Sequence, residues 1–284
     1  MRTIITLFSL TSLILFSCQK EVDYAERTTN VGSGNNTSGT RLVKLVSKTS
    51  GTDSSVNVYT YNSSGKLIGI VTTGNDAGTP IDTRKTFVRN SQGIIQKVIL
   101  KDAELVQYGL DSIVSNVHYD AATAHYTSWA LVIDVLGTVI RDSVVFIYNT
   151  NGKVITESAY SDNGGGTYLP SAKFDYTYSG NNIISKKSSS YNGGTYSEDF
   201  TIADEYDTKV SPLILGNEAF VIDPNSLAPY YSSNNLLKET ITYPADPTET
   251  IAIAYTYNTS DRPSSAIFNF QPDNTAAQIT YYYQ

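Results

Sequence analysis

The side chains that could do chemistry in this sequence are few and scattered. His118 and His125 are the only histidines. They flank Ala121-Ala122, and a two-residue turn there would set the antiparallel pairs 120:123, 119:124 and 118:125. Directly opposed strand residues stand about 5 Å apart at Cβ, near enough for two imidazoles to share a metal ion. Asp120 would be the only acid beside them, and Ala-Ala is poor turn chemistry, so a plain cross-strand pair competes with the metal site. Further on, Asp223, Asn225, Tyr230 and Tyr231 combine polar and aromatic tips, and with Trp129 they could hydrogen-bond and stack on a sugar. The competing expectation is that these aromatics pack on cross-strand neighbours. No serine or threonine lies in a nucleophile motif. The carboxylates show no spacing that marks an acid/base pair. The sequence therefore predicts neither an enzyme nor a bound cofactor.

Cys18 is the single cysteine. It ends the run Leu15-Phe16-Ser17-Cys18, after Arg2 and a mostly apolar segment from Ile4 to Phe16. A span of that length is too short for a hydrocarbon core, which needs about 20 residues, and it reads as a secretory signal. The run resembles the lipobox of bacterial lipoproteins, although Phe16 stands where a small residue is usual. The resemblance implies that residues 1–17 are removed and that Cys18 carries the lipid. Gln19-Lys20-Glu21-Val22-Asp23 resembles the charged signal that sends Bacteroidota lipoproteins to the outer face of the outer membrane. Residues 18–40 then read as a tether, because Asn30 to Gly39 is polar, glycine-rich and nearly free of large apolar side chains. A flexible chain of that length reaches about 25 Å. With its one cysteine used in this way, the chain has no intramolecular disulfide.

The elements that must position everything else lie in residues 41–284. The chain has 20 basic and 27 acidic residues, a net charge of −7, and the mature form, without Arg2, would carry −8. That balance excludes a nucleic-acid partner, whose phosphates demand cations. A short step recurs along the chain: an aromatic strand end, Asn or Asp, a polar turn, and a new strand. Tyr59-Thr60-Tyr61-Asn62-Ser63-Ser64-Gly65-Lys66-Leu67 is the clearest copy, and Phe146-Ile147-Tyr148-Asn149-Thr150-Asn151-Gly152-Lys153-Val154 is the second. Aligned on the turn residue, the copies fall at 62, 90, 120, 149, 179 and 207. So regular a period marks a repeated unit, here two strands and two turns. Asn bonds its own backbone two residues on and glycine accepts positive φ, which closes a tight hairpin. Ile253, Tyr255 and Tyr257 share one face of their strand, whereas Val144-Val145-Phe146-Ile147-Tyr148 is apolar on both faces and should be covered on both.

These readings predict an all-β domain, a long antiparallel meander of repeated hairpins forming a twisted, curled sheet, with a β-sandwich as the alternative. The period breaks from about 204 to 234, a stretch holding Pro212, Pro224 and Pro229 and the apolar runs Leu213-Ile214-Leu215 and Phe220-Val221-Ile222. That insertion is expected either to cover the open face of the sheet or to form a ligand loop. The turns resemble the YD repeats of Rhs-type and teneurin-type shells, where Tyr-x-Tyr-Asp-x-x-Gly-x-Leu recurs. Through Glu205-Tyr206-Asp207, Tyr230-Tyr231-Ser232 and Tyr255-Thr256-Tyr257-Asn258, the chain is similar to Bacteroidota surface lipoproteins with degenerate repeats of this kind. The resemblance implies a β-sheet fold and no activity. Asp111-Ser112-Ile113 and Asp142-Ser143-Val144 resemble Bacteroidota O-glycosylation acceptors.

Two functions are expected from this. One is a surface lipoprotein that presents a curved aromatic face to a glycan or other extracellular ligand. The other is an assembly subunit that docks onto an envelope protein through the C-terminal strand Gln278 to Tyr283, left as an open edge.

Overall fold

The computed structural model describes residues 41–49, 53–76, 78–162, 165–224 and 227–284. The expected signal peptide, the expected lipidation at Cys18, and the expected export signal and tether all fall outside the described residues. Sixteen strands follow one another: β1 (Leu42–Thr49), β2 (Ser54–Tyr61), β3 (Leu67–Asp76), β4 (Thr79–Arg89), β5 (Ile95–Asp102), β6 (Ile113–Asp120), β7 (His125–Val135) and β8 (Thr138–Tyr148) form the first half. The second half is β9 (Val154–Asp162), β10 (Leu169–Ser179), β11 (Asn182–Asn192), β12 (Thr195–Val210), β13 (Asn234–Thr242), β14 (Glu249–Tyr257), β15 (Pro263–Gln271) and β16 (Thr275–Tyr283). Each pairs antiparallel with the next, and β16 pairs with β1 from Leu42↔Tyr283 to Thr49↔Ala277, so the sheet closes into a barrel.

Four of the turns at one end of that barrel share one geometry. Asn62 N–H donates to the Lys66 carbonyl, Gly65 N–H donates back to the Asn62 carbonyl, and Asn62 Oδ1 accepts from Lys66 N–H. Asn90, Asn149 and Asn258 repeat all three bonds. The closing residue is left-handed, with φ of 80° at Gly65, 79° at Gly93 and 72° at Gly152. In the last copy Asp261 takes that conformation at φ 57°. A register shift recurs one step before the turn, at Thr60/Tyr61, Val88/Arg89, Ile147/Tyr148 and Thr256/Tyr257. Such bulges bend a strand and sharpen its twist, which helps to curl a long sheet until its ends meet.

The tyrosines at these bulges point inward and tie neighbouring hairpins together. Tyr61 donates to the Leu42 carbonyl at 2.7 Å, Tyr148 to Tyr126 at 2.7 Å, Tyr206 to Ile183 at 2.6 Å and Tyr283 to Pro263 at 2.8 Å. Tyr178 does the same to Val154. Arg89 stands in the ring at the equivalent place, its Nε donating to the Leu67 carbonyl. Each bond ties a side chain of one hairpin to the backbone of its neighbour.

Inside this end lies the insertion. It leaves β12 at Val210, passes a 3-10 turn at Gly216–Glu218 and two short helices, α1 (Ala219–Ile222) and α2 (Leu227–Tyr231), and rejoins the wall at β13. Phe220 and Ala219 are wholly buried, and Val221, Ile222, Leu227 and Tyr231 nearly so. They join the inward side chains Leu42, Tyr59, Leu67, Phe87, Ile95, Phe146, Val154, Tyr176 and Ile183 in one cluster. Phe220 meets Tyr176, Tyr231 and Phe146 edge-on at centroid distances of 5.3, 5.6 and 6.0 Å. A smaller cluster of Leu105, Ile113, Leu131, Ile133 and Ile140 lies under the 3-10 turn Ala103–Tyr108.

The structure corrects three expectations of the sequence. The all-β composition is as read, but the sheet is neither an open curled meander nor a sandwich: the two end strands find each other. The C-terminal strand is accordingly no free edge, since seven of its residues pair with β1. The doubly apolar run of β8 is covered on its inner side only. Val144 and Phe146 are buried, whereas Val145 and Ile147 remain 41% and 49% exposed on the outer wall.

Candidate functional site

The lumen is the feature the topology builds, and the insertion plugs it. The plug is held at the turn end by charge. Arg89, whose side chain is only 4% exposed, makes a forked pair with Glu218 at 2.8 and 2.7 Å. Tyr126 reaches the same carboxylate at 3.4 Å, and Lys66 lies 3.7 Å from it. Lys85 on β4 pairs with Asp223 of the plug at 3.3 Å. Neutral bonds complete the seat: Ser232 Oγ accepts from Ile183 N–H at 3.1 Å, and the Tyr59 and Tyr230 hydroxyls are 3.4 Å apart.

Beyond the plug the inner wall turns polar on one side. Register runs Phe146, Glu157, Phe174, Ser188 and Phe200 as inward neighbours across β8 to β12. The next inward row carries Tyr176, Lys186, Ile202 and Ile241, and Asp204 stands directly opposite Glu239. Glu157 accepts from Tyr176 Oη at 3.0 Å, yet its Oε1 and the Asp204 Oδ1 have no hydrogen-bond partner among the described residues. Burial pushes the Glu157 carboxyl up to about 7, with Lys186 pulling it back. Burial, and then the facing Glu239, push Asp204 up to about 8. Burial lowers the Lys186 ammonium against the pull of Glu157, Glu239, Asp204 and Asp223. That ammonium also sits 4.6 Å from the Phe174 ring centroid. Beside these charges Phe200, Ile202, Ile241, Ile251 and Phe270 face inward and are only half-buried.

The outer wall has the opposite character. Lys48, Asp82, Arg84, Lys97, Lys101, Asp134, Lys187 and Glu205 all point outward and are exposed. Ion pairs span the wall at Lys173–Asp175 (2.8 Å), Lys238–Glu205 (3.0 Å) and Arg141–Asp162 (2.9 Å). Outward apolar side chains such as Val132, Val145, Leu237 and Ile267 are scattered among them.

The residues singled out in the sequence fall mostly elsewhere than expected. Tyr231 is buried in the plug and Tyr230 is half-buried beneath Tyr59, so neither is an exposed stacking platform. Asp223 is paired with Lys85, and Asn225 lies outside the described residues. Trp129 faces inward and packs between the two apolar clusters. His118 and His125 are not opposed. A four-residue turn replaces the two-residue one, so His118 meets Ser128 and His125 meets Asp120. His118 faces out, and His125 stacks on Tyr148 at 4.1 Å. No three metal-type ligands cluster among the described residues. What the sequence missed is the inward layer of Glu157, Lys186, Asp204 and Glu239. These residues come from four strands, and only register brings them together.

No family model matches this chain. No curated protein matches it either. Solved structures do. A porin-like protein from Bacteroides uniformis superposes with a TM-score of 0.53 at 13% identity, over 87% of this chain and 98% of that one. This chain shares its barrel fold. A porin-like protein from Bacteroides vulgatus gives 0.51 at 12% identity, over 86% and 99%. The likeness overturns the expected curved binding face and the expected docking edge together. The aromatic face is wrapped inside a closed wall, and the edge is sealed.

Proposed function

We propose that this chain is a porin-like barrel of the outer membrane that handles a small solute inside its lumen, with its wall standing in water. The sidedness of the wall carries the reading. A barrel that crosses a bilayer shows lipid an apolar band flanked by aromatic girdles and keeps its polar groups within. Here exposed lysines, arginines and acids ring the outside, while tyrosines, phenylalanines and leucines fill the inside. Each Arg or Lys at a bilayer midplane costs about 2–4 kcal/mol, so a wall with this many charges favours water. The plug makes the lumen blind at the turn end, and the Glu157, Lys186, Asp204 and Glu239 layer gives it a charged floor.

Attachment belongs to the same proposal. The Leu15-Phe16-Ser17-Cys18 run supports a lipid on Cys18, and Gln19 to Asp23 support an outward-facing position. The turn repeats support kinship with Bacteroidota lipoproteins of the YD-like type. A second reading, a channel through the membrane, is favoured by the porin-like description of both neighbours. One comparison separates them. Residues 41–284 should purify as a monomer without detergent and leave a planar bilayer silent. A requirement for detergent together with unitary conductance steps would establish the channel instead. Lumenal access is read with N-phenylnaphthylamine, whose fluorescence should rise with the wild-type chain and fall with Ile202→Glu. An Ile202→Glu chain that responds like the wild type would remove the lumen from the reading.

A further inference from the structure

We infer that the plug end of the barrel carries a second site, outside the lumen, for an anionic amphiphile: a phosphate or carboxylate head on a short apolar chain. A cavity of about 460 Å³ opens where the plug meets the rim of β1 to β3 and the turn before β15. Pockets of about 300–1,000 Å³ are the usual size for small ligands. Its rim carries Arg41, Lys66 and Arg262, and its floor includes Leu42 and Leu213.

The cations there are in excess. Glu218 is the one acid in the lining, and the buried fork of Arg89 already neutralises it. Lys66 sits 3.7 Å from Glu218 with its side chain 54% exposed, so it is free to turn to a second anion. Arg41 lies 5.2 Å from the Tyr61 ring centroid and has no carboxylate within ion-pair distance among the described residues. The Arg262 guanidinium donates to the Ser211 carbonyl at 2.7 Å and likewise has no acid partner among the described residues. A guanidinium held flat by a ring or a carbonyl keeps its remaining N–H groups in a fixed fork. That fork matches a phosphate or carboxylate in two parallel bonds. Ile214, 46% exposed at the lip, gives the apolar half of a ligand somewhere to lie. The charge of the site selects the head and Leu213 and Ile214 accept the tail. Neither feature belongs to the lumen.

The test uses the full chain and hexyl phosphate as the probe, with hexanol as the uncharged control. Calorimetry should show binding of hexyl phosphate and none of hexanol. Arg41→Gln and Arg262→Gln should each weaken binding about tenfold, the loss expected when one charge-assisted bond goes. Lys101→Gln, on the outer wall, should leave it unchanged. Circular dichroism checks that Arg262→Gln keeps its strands, and Arg41→Gln, at an exposed residue, decides alone if it does not. Equal affinity in wild type and Arg41→Gln, or no heat with hexyl phosphate at millimolar concentration, overturns the site. Flotation with phosphatidylcholine vesicles that contain phosphatidic acid, abolished by Arg41→Gln, would name a lipid headgroup as the source. Hexyl phosphate binding without flotation would name a soluble ligand.

Discussion

At the residue scale, the charged groups inside the barrel set its response to pH and to mutation. Glu157 and Asp204 bind their protons more tightly in the fold than in the unfolded chain, because burial disfavours the carboxylate. Stability from such a group is full below the unfolded value and is lost as pH rises through the folded one. Between about pH 4 and pH 8 these two carboxyls therefore weaken the barrel as they ionise. Asp204→Asn should flatten the fall of the thermal midpoint over that range, and parallel profiles for the two proteins would contradict the assignment. The Arg89–Glu218 pair bears on the response to mutation. Glu218→Gln leaves a nearly buried guanidinium without its partner and should cost about 3 kcal/mol in urea unfolding. None of this was legible in the sequence. Glu157, Lys186, Asp204 and Glu239 follow no spacing, and Glu218 is 129 positions from the arginine it holds.

At the element scale the sequence was far more readable, because hairpins are local. The step from Tyr61 through Asn62 to Gly65 states its own geometry, and the structure shows the bonds that the residue types imply. Asn90 Oδ1 accepts from both Gln92 and Ile94, so Asn90→Ala should destabilise by about 1–2 kcal/mol. Gly93→Ala should add strain of about 1–2 kcal/mol, since an L side chain at φ 79° crowds its own carbonyl. Equilibrium unfolding of both variants measures the two effects separately. Where turn chemistry was weak, the reading failed. Ala121-Ala122 gave no reason to choose a loop length, and Asp120 settles it by bonding Ala122 N–H and Thr123 Oγ1, which lengthens the turn and parts the two histidines. The insertion, too, was visible as a break in the period. Its apolar runs called for burial, and Leu213, Phe220, Val221 and Ile222 are buried, whereas Ile214 is left exposed.

At the scale of the whole molecule, the property that governs function is the one no local pattern encodes. Whether the last strand meets the first depends on accumulated twist, tilt and bulges over the whole chain. The seam joins Leu42 to Tyr283 and Ser47 to Ile279, and it buries Ile279, Tyr281 and Tyr283 against the inner core. Closure is what turns an aromatic sheet face into a lumen, hides the plug and removes the edges that would otherwise recruit other strands. A chain ending at Asn274 would expose β15 and β1 as two long edges beside an opened apolar interior. It should elute as aggregates on size exclusion. A peptide of residues 275–284 supplied during refolding should restore the monomer, because strand addition satisfies both edges at once. If the shortened chain is instead monomeric with an unchanged thermal midpoint, the seam contributes nothing to the fold. The wall would then be open in solution, and a lumen could not be the place where this protein works.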